Sequence, residues 1–188
     1  MTLLHDDAVQ VVSAYEPYDD GQAAYQRRLL ELLEAEPATR ADNPGAHITA
    51  STLVLSSDLT QVLLCLHGRV GRWLQLGGHC EPEDLTLVDA ALREATEESG
   101  MTGLWIHPGP VDLDIHPVPC RYGQSLHYDV RFVSVAPAGA EPVTSPESKA
   151  VAWFAPDALP SPLGSATDRL IDAALRMVPS LPGLSPQS

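Results

Sequence analysis

The chain has 188 residues, with 25 aspartates and glutamates against 11 lysines and arginines, and a net charge of −14. That balance argues against polymeric nucleic acid or an anionic membrane surface as partner, while the length suffices for one domain with a substantial core. No apolar run approaches the roughly 20 residues of a membrane span. The opening MTLLHDDAVQ lacks the basic and then apolar pattern of a secretory signal. Cys65, Cys80 and Cys120 have no paired spacing. The expectation is a cytoplasmic protein with free thiols.

Residues 1–45 read as a helical extension. Asp19-Asp20 precede a run from Gln22 to Ala35 with Ala24, Leu29, Leu32 and Leu33 at helical spacing, and Pro37 ends it. Such a helix packs on the main domain or on another subunit. Asn43-Pro44-Gly45 marks a turn or short linker. From His47 the pattern becomes that of strands. His47 to Leu55 and Val62 to Leu66 flank a turn at Ser57-Asp58 and predict a hairpin, with Cys65 in the core. His67 to Arg72 is a loop, and Trp73 to Leu76 leads into the glycine pair Gly77-Gly78.

The stretch from Gly77 to Met101 carries the chemistry. Two glycines let a ligand approach the backbone. Glu81-Pro82-Glu83-Asp84 is a turn, and Asp84 or Thr86 can cap the helix that Gly100 closes. Ala90, Ala91 and Ala95, with Val88 and Leu92, form an apolar side. Glu94, Glu97 and Glu98 lie three and four residues apart and so share a helix face. Three like charges there repel one another unless a cation joins them. Hard carboxylate oxygens suit Mg²⁺ or Mn²⁺. Arg93 is placed to reach Glu97 or hold Glu94. His79 follows the glycines, either as a contact to the site or as a loop histidine beside Cys80. A zinc site built from His79, Cys80 and the glutamates lacks a clustered set of soft ligands.

Leu104 to His107 and Val111 to His116 are expected strands, broken by Pro108-Gly109-Pro110, and Pro117 to Ser125 is an expected loop. Leu126 to Val133 alternates, with His127, Asp129 and Arg131 on one face. That face is either solvated or part of a substrate cleft. Ala136 to Pro146 is a loop, and Ser165 to Met177 reads as a closing helix capped by Ser165 or Thr167. Residues 179–188 read as a flexible tail.

The stretch from Gly78 to Met101 resembles the Nudix hydrolase box, which runs from a glycine through an acidic residue to R-E-U-x-E-E-x-G-U, U being a bulky apolar residue. Gly78 and Asp84 have the box spacing, and Arg93-Glu94, Glu97-Glu98, Gly100 and Met101 match its distal half. Asp84 stands where glutamate is usual, Ala95 is smaller than usual, and eight residues rather than seven separate Asp84 from Arg93. The resemblance implies an α/β fold, the Nudix-type α/β/α sandwich with a mixed β-sheet, over residues 46–178. It implies metal-dependent hydrolysis of a phosphoanhydride bond in a nucleoside diphosphate linked to another moiety. Nucleoside triphosphates, nucleotide sugars, ADP-ribose and dinucleotides all qualify as such small-molecule substrates.

Within that resemblance, Glu94, Arg93 and Glu97 are the candidate catalytic residues. Glu97, Glu98, Glu94 and the Gly78 carbonyl are the candidate ligands of Mg²⁺ or Mn²⁺. Arg72, Arg121 and Arg131 are candidates for phosphate contacts by position, and Trp73, Tyr122 and Tyr128 for stacking on a base. Glu147, ahead of Trp153-Phe154, is a further candidate ligand or base. The oligomeric state stays open: dimers are common in the family, and the N-terminal helix could serve a homodimer. Two other functions remain open. One is a non-catalytic nucleotide sensor. The other is an isoprenoid diphosphate isomerase, which needs a catalytic cysteine that neither Cys80 nor Cys120 supplies within a matching motif.

Overall fold

The computed structural model describes residues 2–34, 36–43, 45–120, 123–146 and 148–181. The N-terminal extension is two helices, α1 (Leu3–Ala14) and α2 (Asp20–Leu33). Thr2 caps the first by accepting from the His5 N–H at 3.2 Å, and Asp19 caps the second by accepting from the Gln22 N–H at 2.7 Å. Their buried residues, including Leu4, Ala8, Val12, Leu29 and Leu33, belong to one apolar cluster with the sheet. The extension therefore packs on its own domain.

The sheet is built on β1 (Ala46–Leu55), with β2 (Val62–His67), β3 (Trp73–Leu74), β4 (Leu76–His79), β5 (Trp105–Ile106), β6 (Asp112–Cys120), β7 (Gly123–Val135) and β8 (Ser148–Phe154). It is mixed. β1 runs parallel to β7 from Ala46↔Leu126 to Leu55↔Val135, and antiparallel to β4 from Thr49↔His79 to Thr52↔Leu76. The expected β1–β2 hairpin is confined to Val54↔Leu63 and Leu55↔Val62, because β4 takes that edge of β1 at Thr49 to Thr52 and β3 takes β2 at Cys65 and Leu66; β8 pairs along the other edge of β2. The expected loop from Pro117 to Ser125 is instead largely strand, since β6 and β7 stay paired through Val118↔Ser125 to Cys120↔Gly123. The reason is parity. Leu113 turns its N–H away from β7, toward Gln22 Oε1 at 2.8 Å, and accepts from Gln22 Nε2 at 3.0 Å. Pro117 and Pro119 share that outward parity, so the N–H that proline lacks is one the ladder does not use.

Helices cover both faces, giving three layers. Ile48, Ala50, Val130 and Phe132 pack against α1, α2 and the box helix α3 (Leu87–Ser99). Leu53, Leu55, Val133 and Val135 pack under Leu170, Ile171, Ala173 and Ala174 of α4 (Thr167–Met177). Neither Ser165 nor Thr167 caps α4. Its N-cap is Ala166, in the left-handed conformation at φ 57°, with no side-chain cap bond. After α4, Val178–Ser180 is a short 3₁₀ turn and Leu181 is buried; residues 182–188 lie outside the described residues. No helix among the described residues is long and apolar enough to cross a membrane.

Candidate active site and metal centre

The box helix is fixed at both ends. Thr86 is its N-cap and forms a capping box with Asp89, with 3.0 Å bonds in both directions. Asp7 of α1 also accepts from the Leu87 N–H at 2.8 Å. At the other end Gly100 takes the left-handed φ of 66° and bonds back to Thr96 O. Leu87, Ala90, Ala91 and Ala95 are buried, as the sequence pattern requires. The small alanines bring the helix close to β4.

That proximity sets the glutamates. Glu98 is buried and accepts from the Gly77 N–H at 2.9 Å. The Glu94 carboxylate lies over Gly78, where an added Cβ would sit 2.7 to 2.8 Å from it. Glu97 is exposed. Arg93 organises the group. Its Nε and Nη2 bind Asp84 at 3.1 and 3.0 Å, Nη2 also donates to His79 O at 2.8 Å, and Nη1 donates to Glu94 at 3.1 Å and Glu97 at 3.3 Å. Burial works against the guanidinium charge, but the Asp84 bonds and the Glu94 charge outweigh it and raise the Arg93 pKa. Asp84 is buried, accepts from the Glu81 N–H at 2.7 Å, and thereby ties the preceding turn to the helix. Its position is a brace for Arg93 rather than a helix cap.

This donor set fits a hard divalent cation. The carboxylates gather where Gly77 and Gly78 leave room. Among the described residues, however, the group with three donor atoms all within 4.8 Å of one another is His47, His79 and His127, not the glutamates. Mg²⁺ is usually held by one or two carboxylates and keeps several waters of its own, so a compact cage of protein donors is not required of the glutamates.

The proposed substrate contacts fare differently. Arg131 is 1% exposed and is enclosed by three carboxylates, Asp129 at 2.8 Å, Asp114 at 2.9 Å and Asp112 at 3.3 Å. It also donates to Ala166 O at the start of α4. A guanidinium spent this way is a structural counter-ion, so its assignment to phosphate is corrected. Arg169 of α4 joins the network through Asp112 and Asp114, and Tyr18 donates to Asp112 at 2.7 Å. Tyr128 faces the extension, with the Arg28 guanidinium 5.7 Å from its ring centroid. Trp73 packs edge-on against Phe154 at 4.9 Å, and Arg72 donates to Leu163 O at 2.9 Å. These contacts bring none of the four to the glutamates. Arg121, Tyr122 and Glu147 lie outside the described residues.

His79 is not in a loop. It closes β4 beside His47 and His127, with ring centroids 4.8 to 4.9 Å apart. Burial disfavours charge on all three, and for His127, with the other histidines adding repulsion, the pKa falls to about 3. Sequence reading missed this group; the signal available was the alternation that placed His127 and Asp129 on one strand face. Cys80 is buried, and burial with nearby Asp84 pushes its thiol up to about 12. That disfavours the thiolate that nucleophilic chemistry needs. A cavity of about 550 Å³ lies elsewhere, between the end of α1, Pro108 and Met177, and no box glutamate lines it.

The NUDIX domain model matches residues 45–174, more than half the chain. The chain belongs to the Nudix family. No curated protein matches it in sequence. Among solved structures it is similar to a NUDIX-family hydrolase from Clostridium perfringens, with TM-score 0.55 and 21% identity over 70% of this chain and 97% of that one. It is also similar to the Caenorhabditis elegans Ap4A hydrolase in a binary complex (0.54, 15%, 71% and 98%). A third likeness is to the NUDIX domain of Shewanella oneidensis NrtR complexed with ADP ribose (0.53, 19%, 70% and 87%). At these identities the likeness speaks for the fold. The Nudix match starts just before β1 and ends within α4, so α1 and α2 lie outside it. The extra residue of this Nudix box falls between Asp84 and Arg93, and their two-bond contact is intact across it.

Proposed function

We propose that this Nudix protein hydrolyses a phosphoanhydride bond in a small nucleoside diphosphate derivative, using Mg²⁺ or Mn²⁺. The observation that carries the reading is the Arg93 clamp, which holds Glu94 and Glu97 on one side and Asp84 and the His79 carbonyl on the other, against a glycine pair. Glu97, Glu98, Glu94 and the Gly78 carbonyl are the residues that would hold the cation. A divalent ion in such a site neutralises phosphate oxygens and lowers the pKa of a bound water.

The chain's own residues supply the rest. Glu98, fixed by the Gly77 amide, and Glu94, seated over Gly78, keep their carboxylates in place before any ligand arrives. Such preorganisation spares reorganisation during reaction. Glu94 is the candidate to take the proton from the attacking water, and Arg93 orients it. With a net charge of −14 the protein repels a phosphorylated substrate, which makes the cation a requirement for binding as well as for chemistry.

The test is phosphate release from a panel of nucleoside triphosphates, nucleotide sugars, ADP-ribose and dinucleoside polyphosphates, with Mg²⁺ or Mn²⁺ and with EDTA. Turnover of one class, abolished by EDTA and by Glu97→Gln, is expected. Nucleotide binding without turnover on any member would replace the hydrolase reading with that of a sensor.

A further inference from the structure

We infer that His47, His79 and His127 form a second metal site, built from imidazole nitrogens and selective for a borderline divalent ion of the Zn²⁺ or Co²⁺ kind. The sheet register assembles it. β1 and β7 pair His47 with His127, and β4 sets His79 opposite Thr49, one step along the same face of β1. Neighbouring strands lie about 4.8 Å apart, so side chains at such positions meet. The three donor atoms lie within 4.8 Å of one another. The rings are mutually tilted, at 37°, 56° and 81°, rather than stacked face to face. Tilted rings can aim nitrogens at a common point.

A second observation points to a ligand. His47 is 1% exposed, and its Nε2 is buried with no hydrogen-bond partner among the described residues. Its other nitrogen, Nδ1, faces Ser125 Oγ at 3.4 Å. A buried ring nitrogen left without a partner is unfavourable unless something engages it, and a cation would. An outer partner stands nearby: His116 pairs across the strands with His127, its ring centroid 5.6 Å away, and Asp114 holds its Nδ1 at 2.8 Å.

The site is distinct from the glutamates. Gly78 pairs with Ala50, on the face that α3 covers, whereas His79 pairs with Thr49, whose hydroxyl donates to Asp129 on the opposite face. The two sites thus lie on opposite faces at successive residues of β4. Donor chemistry separates them further: carboxylate oxygens favour Mg²⁺, and imidazoles favour Zn²⁺, Co²⁺ and Ni²⁺. His79 and His127 are only partly buried, so the ion's remaining position is open to water or an anionic group.

The experiment uses full-length, tag-free protein stripped with a chelator and dialysed against Zn²⁺ or Co²⁺ in excess Mg²⁺. One equivalent bound by the wild type and by Glu97→Gln, with affinity lowered 100-fold or more in His79→Gln and His127→Gln, is expected. Binding that survives both histidine substitutions, that disappears in Glu97→Gln, or that is absent from the wild type would overturn the site. Because a histidine variant can misfold, zinc X-ray absorption on the wild type gives an independent reading. Three imidazoles at about 2.0 Å would support the site, and a shell of carboxylate oxygens without imidazole would overturn it.

Discussion

Adding one methyl group to either member of the glycine pair should have opposite consequences. In Gly78→Ala the three atoms nearest the new Cβ all belong to the Glu94 carboxylate, at 2.7 to 2.8 Å. That group is the end of a flexible side chain, so it moves aside, and stability should fall by no more than about 1 kcal/mol, a melting shift of roughly 2–4 °C. The displaced carboxylate is the one Arg93 Nη1 holds at 3.1 Å. A misplacement on the order of 1 Å lowers catalysis by about 100-fold. In Gly77→Ala the Cβ would overlap the Ser51 Cβ and lie 2.7 Å from Ala50 O, at a φ of +149°. Backbone strain of about 1–3 kcal/mol then adds to an overlap that cannot be relieved without opening the β1–β4 pairing. The assay is metal-dependent phosphate release beside a thermal melt for both variants. Gly78→Ala should melt within about 4 °C of the wild type and lose about 100-fold in activity, whereas Gly77→Ala should melt far lower. If Gly78→Ala keeps activity within twofold of the wild type, Glu94 has no part in the chemistry assigned to it.

Two further outcomes follow from the buried ion network. Arg131→Ala leaves Asp112, Asp114 and Asp129 without their central cation, and should destabilise by about 3–5 kcal/mol in urea unfolding; a loss below about 1 kcal/mol would refute the counter-ion role. Stability should also fall in acid. Burial pushes Asp129 and Asp114 up, but Arg131 and their hydrogen bonds more than offset it and hold both below the ordinary carboxylate value of 3.8. Their contribution is therefore complete above the unfolded value and is lost as pH drops below it toward the folded one, by about 1.4 kcal/mol per pH unit per group. Urea midpoints between pH 5 and pH 2 should fall less steeply in Asp129→Asn, and identical slopes would sink the assignment.

What could be read from the sequence was local. Arg93, Glu94, Glu97 and Glu98 sit on one helix with its cap and closing glycine, and their relation depends only on helical spacing. The fate of Arg131 was not legible, because its carboxylate partners Asp112 and Asp114 come from a strand whose register the prolines disguised. The histidine group was not legible either. Its members come from β1, β4 and β7, and the parallel pairing of β1 with β7 joins residues 80 positions apart in the chain. Neither periodicity nor turn chemistry specifies that register. Asp84 was ambiguous for a different reason: counting residues cannot tell whether an inserted one displaces the acid or bulges out of its way.

The contact between Gln22 and Leu113 has a consequence for how copies of this protein meet. β6 borders the sheet beyond β7, and a bare strand edge offers donors and acceptors on which a foreign strand can grow. Here a primary amide imitates one residue of such a strand, giving and taking a hydrogen bond at Leu113. Further along, Pro117 and Pro119 offer no donor at all. The second helix thus serves as a guard against open-ended strand addition, and a chain trimmed to the matched region would expose that edge.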